Sequence, residues 1–146
     1  MRSKIYHLLE SALLSIKDNA GNTIFQHVNV WNNQLTFAEE EQPFYTPAVF
    51  IEFSTINWES QLRGVIDAEV DIALHFVTDS RVGNWSDALE VFDLIDKVPS
   101  VLAQIQDTGD KFSISSFTRI SSTSDHDFDE LQDNIEVYRT HIQQSI

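Results

Sequence analysis

Between residues 64 and 77 the sequence alternates with a period of two: Ile66, Ala68, Val70, Ile72, Leu74 and Phe76 fall on one side, Asp67, Glu69 and Asp71 on the other. Successive side chains of a β-strand point to opposite faces, so the run predicts a long strand with one apolar face. A helix cannot use this pattern, because a 3.6-residue period would scatter the apolar residues around its circumference. The chain must therefore build a sheet.

The flanking segments complete an α+β arrangement. Ile5, Leu8, Leu9, Ala12, Leu13 and Ile16 recur at helical spacing, which predicts an opening amphipathic helix with Ser3 as its N-cap and residues 18–22 as its stop. Residues 23–31 read as a short strand, and residues 34–47, with Pro43 and Pro47, as an exposed loop. Residues 48–58 form a second strand, joined to the alternating one by a hairpin connection over residues 59–63 with Gly64 at its end. After Gly83 the period changes. Ala88, Leu89, Phe92, Ile95 and Val98 mark a helix capped by Asn84 or Ser86, which Pro99 is expected to kink or break. Residues 107–110 are a turn, 111–122 a strand, 122–133 an acidic loop and 134–142 a last strand. The order α-β-β-β-α-β-β predicts a single domain over residues 1–146, a mainly antiparallel sheet with helices packed on one face.

Composition narrows the function classes. At 42% hydrophobic and 11% aromatic residues the chain is too apolar for a disordered one, and 146 residues suffice for a core without staples. It has no cysteine, which removes disulfides, thiolate zinc sites and cysteine nucleophiles together. No apolar run approaches a membrane span, and Met1-Arg2-Ser3-Lys4 leads straight into an amphipathic pattern, so no signal peptide and no membrane partner are expected. The net charge of −14, without any cluster of Lys and Arg, argues against sequence-specific nucleic-acid binding. It suits a surface past which DNA slides without sticking.

Few residues suggest chemistry. Asp125, Asp127 and Asp129 fall at positions 1, 3 and 5 of a calcium loop, with Asp133 at 9 and Glu136 at 12. Position 6, however, is Glu130 where the loop needs glycine, and no helical pattern flanks the run. The reading is a solvated acidic loop, with a calcium- or small-ligand-binding module over residues 125–136 as the alternative. Asp67, Glu69 and Asp71 make an acidic stripe on one strand face: a solvent-facing side, the lining of a charged channel, or an acid–base pair lacking a visible pocket. His7, His27, His75, His126 and His141 are scattered, none at i, i+4. There is no phosphate-binding glycine loop and no nucleophile elbow. Neither catalysis nor a cofactor is expected. Trp31, Trp58 and Trp85 lie near element ends, as core lids or as interface anchors.

The layout as a whole resembles the tail-completion (tail-terminator) proteins, minor tail proteins that join head to tail in long-tailed bacteriophages and prophages. An amphipathic helix opens the chain, and a strand follows directly on proline in Thr46-Pro47-Ala48-Val49-Phe50-Ile51-Glu52-Phe53. A long alternating strand then leads to Ala88-Leu89-Glu90-Val91-Phe92-Asp93-Leu94-Ile95, and the chain closes on Asn134-Ile135-Glu136-Val137-Tyr138-Arg139. The resemblance implies a non-enzymatic homo-oligomer, typically a hexameric ring, that caps the tail tube and joins it to the head. Its partners would be the tail tube protein and head–tail connector proteins. Its place would be the virion tail or neck, after synthesis in the host cytoplasm. Another head–tail connector has similar size and composition. In a ring, the edge of the last strand, residues 134–142, is expected to pair with a neighbour, and Asp67, Glu69 and Asp71 to line the lumen.

Overall fold

The computed structural model describes residues 1–32, 45–81, 88–105, 111–125 and 130–145. Its elements are α1 (Arg2–Leu14), β1 (His27–Val30), β2 (Ala48–Leu62), β3 (Val65–Asp79), α2 (Ala88–Leu102), β4 (Phe112–Ile114), β5 (Thr118–Asp125) and β6 (Leu131–Ser145). The strands form one six-stranded sheet of order β1-β2-β3-β6-β4, and β5 also pairs with β6. The pairings are antiparallel except for β1 on β2.

The alternation of β3 organises the interior. Ala68, Val70, Ile72, Leu74 and Phe76 join one buried cluster with Ile5, Leu9 and Leu13 of α1 and Val91, Leu94, Ile95, Val98 and Leu102 of α2. Both helices therefore cover the same face. Val49 and Ile51 of β2 and Tyr138 and Ile142 of β6 stand in register with β3 on that face. On the other face Ala48, Phe50 and Val77 form a smaller cluster, against which Trp31 and Leu131 pack.

Several expected boundaries move, each for a local reason. Ser3 lies inside α1, whose N-cap is Met1. The β2–β3 hairpin turns on Arg63 and Gly64 alone, since Leu62 pairs with Val65 and Gly64 takes the positive φ of 77° that a tight turn needs. The expected strand over residues 111–122 is two, because the chain leaves the ladder at Ser115. There the Ser115 carbonyl accepts from Thr140 Oγ1 (2.8 Å), and the His141 N–H donates to Ser115 Oγ (2.8 Å). The order is thus α-β-β-β-α-β-β-β. Pro99 sits within an unbroken α2. It cannot donate to the Ile95 carbonyl four residues back, and the Arg119 guanidinium of β5 donates to that carbonyl instead, at 3.4 Å. The last strand is not an edge: β6 pairs with β3 along one side and with β4 and β5 along the other. Among the described residues no helix is long and apolar enough to cross a membrane.

Candidate functional site

The face of the sheet opposite α1 and α2 carries the most concentrated polar chemistry among the described residues. His75 of β3 is 5% exposed. Its Nδ1 lies 3.0 Å from Asp133 Oδ2 of β6, and its Nε2 lies 2.7 Å from Glu52 Oε2 of β2. The Trp31 indole stacks on the ring at 3.8 Å with an interplanar angle of 2°. An imidazole between two carboxylates must donate from both nitrogens, which only the cation can do. Burial pulls its pKa down, but the hydrogen bonds to Asp133 and Glu52 and the charge of both carboxylates outweigh that and raise it. Neither nitrogen presents a lone pair to a substrate. His75 ties three neighbouring strands, and Trp31 is its lid.

Further along this face lie Asp67, Glu69 and Asp71. Arg139 of β6 answers two of them. Its Nε and Nη2 donate to the two Asp71 carboxylate oxygens at 2.8 and 3.0 Å, and its Nε also lies 3.3 Å from Glu69. His141 Nε2 lies 2.9 Å from Glu59 Oε2. Arg139 directly follows Tyr138 in the sequence, so it turns to the stripe's face by the same alternation that buries Tyr138 on the other. The stripe remains an acidic face, with its inner end neutralised.

The acidic run divides between environments. Asp127 and Asp129 lie outside the described residues. Asp125 and Asp133 stand in register across β5 and β6. Asp133 is buried beside His75, whereas Glu136 stands in register with Leu74 on the helix-covered face. Asp133 and Glu136 therefore point to opposite sides of one strand and cannot share an ion, which removes the calcium-loop geometry suggested by their spacing. Among the described residues no group of three His, Asp or Glu is placed to hold a metal ion.

On the helix-covered face a second polar island sits between α2 and β5. Glu136 accepts from Ser122 Oγ and lies 3.6 Å from Arg119, which also reaches Asp96 at 3.3 Å. Ser124 Oγ donates to Asn134 Oδ1 at 2.8 Å. Burial raises the pKa of the Tyr138 hydroxyl, although the nearby Arg119 cation opposes this. Ser122, Ser124, Asn134 and Glu136 floor an open groove of about 380 Å³ whose wall is Phe92, Ile95 and Asp96 of α2.

Among the described residues, β5 and part of β2 each have a side along which no partner strand lies. Residues 118–124 of β5 are all exposed or half-exposed, and this strand pairs only with β6. On the opposite side, β1 covers β2 only from Ala48 to Ile51. From Phe53 to Glu59 no described strand lies on that side of β2, and Trp58 there is 47% exposed. Neither edge was legible beforehand, since the Ser- and Thr-rich β5 lacks any periodic apolar signal. Trp85 lies outside the described residues.

No protein-family model matches this chain, and no curated protein matches it.

Proposed function

We propose that this chain is a structural assembly subunit, a tail-terminator or tail-completion protein of a long-tailed phage or prophage. In this reading its copies join into a ring that caps the tail tube and meets the head. The observation that carries the assembly half of the reading is the pair of open edges on opposite sides of one sheet. A subunit with different open surfaces on its two sides joins head to tail, and such contacts close into a ring when the rotation per copy permits. The layout of helices and strands described above supports the phage half.

Edge-to-edge joining keeps the same face inward in every copy. With the face opposite α1 and α2 inward, Asp67, Glu69 and Asp71 turn to the lumen, and the negative charge that Arg139 leaves uncompensated repels passing DNA. Mass measurement by light scattering tests the reading, across a range of concentrations and with and without purified tail tubes. A cyclic species of several copies, more populated at higher salt because screening weakens repulsion between subunits of charge −14, is the expected result. A monomer under all these conditions, tubes included, refutes it.

A further inference from the structure

Resting on that assembly reading, we infer that the groove between α2 and β5 is a strand-receiving site, and that its occupant is the free half of β2 from a second copy, with Trp58 and Ile56 as the inserted side chains.

The groove has the two parts that strand addition requires. One is an open edge: β5 directs the backbone groups not used by β6 away from the sheet, and residues 118–124 are exposed or half-exposed along it. The other is a wall for side-chain selection, supplied by Phe92 and Ile95 of α2, with Phe92 48% exposed. A strand laid along β5 would place every second side chain beneath that wall.

The free half of β2 supplies a matching strand. It is extended, without a partner strand on its outer side among the described residues, and already ordered by its ladder to β3, so little chain entropy is lost on docking. Its direction is right. Each step from β2 to β3, β3 to β6 and β6 to β5 is antiparallel, so β5 runs parallel to β3 and a similarly oriented β2 from the next copy meets β5 antiparallel. Its facing is right as well. Ile56 stands in register with Val70 and Trp58 with Ala68, both on the helix-covered face. Ser122 and Ser124 of β5 are in register with Glu136 and Asn134 on that same face. Continuing the sheet therefore brings Ile56 and Trp58 to the groove side. A half-exposed tryptophan that enters a groove walled by phenylalanine is the kind of anchor that dominates interfaces. The groove volume of about 380 Å³ leaves room for an indole. Charge also fits: the incoming segment from Phe53 to Trp58 carries no ionised group, so nothing charged is forced against the buried Glu136.

The test uses two single variants and their mixture, read by sedimentation velocity. Trp58→Ala removes the insert and leaves the groove; Phe92→Glu spoils the groove and leaves the insert. Each alone is expected to weaken assembly at least about tenfold. Mixed, they are expected to form a dimer through the one junction that remains intact, and nothing larger. Both positions are half-exposed, and circular dichroism with a melting curve verifies folding; if Phe92→Glu melts early, Phe92→Ala replaces it. Wild-type assembly that persists unchanged in both variants overturns this contact while leaving the ring reading standing. Variants that fail to form the mixed dimer overturn the head-to-tail insertion. A wild-type monomer under every condition removes both.

Discussion

His75→Leu should be the most informative single substitution in the fold. In the native protein Asp133 is 2% exposed and only its Oδ2 has a hydrogen-bond partner, which is His75. Leucine leaves that carboxylate buried with no partner. Removing one member of a buried ion pair costs about 3–5 kcal/mol, because the remaining charge stays desolvated. The lost stacking with Trp31 adds about 0.5–1.5 kcal/mol. Glu52, at 40% side-chain exposure, returns to water and adds little. Against a typical total of about 5–15 kcal/mol this is a large fraction. At about 3 °C per kcal/mol for a chain of this size, the melting temperature should fall by roughly 10–20 °C. The assay is urea unfolding at fixed protein concentration, followed by circular dichroism, with the pH varied. Because the folded pKa of His75 is raised above the ordinary 6.5, its stabilisation is complete below about pH 6.5 and is lost as pH rises through the folded value. Wild type should therefore lose stability on that rise, and His75→Leu should not. The double variant His75→Leu/Asp133→Leu should recover most of the loss, since no buried charge remains. A cost below about 1 kcal/mol in the single variant, or a double variant no better than it, would refute the reasoning.

Arg119 supplies the hydrogen bond that Pro99 cannot, so Arg119→Ala should destabilise the protein by about 1–3 kcal/mol in denaturant titration. In a Pro99→Ala background, where the backbone N–H can reach Ile95 again, that cost should shrink by about 1 kcal/mol; a purely additive cycle would show that the substitution for the missing bond is not energetically used. Millimolar calcium should leave the melting temperature unchanged, as Asp133 and Glu136 face opposite ways; a rise with calcium but not with equal ionic strength of sodium chloride would reinstate a site in the 125–136 region.

Much of the architecture was legible because it depends on periodicity. The alternation of β3 specified which of its side chains meet the core, and Ala68, Val70, Ile72, Leu74 and Phe76 do so, while Ile66 at the hairpin end is only half-buried. The 3.6-residue spacing of Ile5, Leu9 and Leu13 likewise named the buried face of α1. For α2 it named Ile95 and Val98, which are buried, but also Ala88, Leu89 and Phe92, which are exposed, and it passed over the buried Val91 and Leu94. The α+β class and the hairpin between the two long strands follow from the same signals. Pro99 misled the reading, because a proline inside a helix breaks it only if the orphaned carbonyl finds no other donor, and Arg119 stands 20 residues further along the chain.

Periodicity describes how one segment meets an interior, and it says nothing about which segment lies beside it. The sequence by itself determined the faces of β3 and α1, the acidity of the chain and the absence of thiol chemistry. Only the tertiary structure decided that β6 is central and β5 is an edge, and that β1 leaves half of β2 uncovered. It also decided that Glu52, His75 and Asp133 meet, although 23 and 58 residues separate the histidine from its partners. These outcomes depend on strand order, which is settled by the packing of the whole sheet against both helices. No local run of residues carries that information.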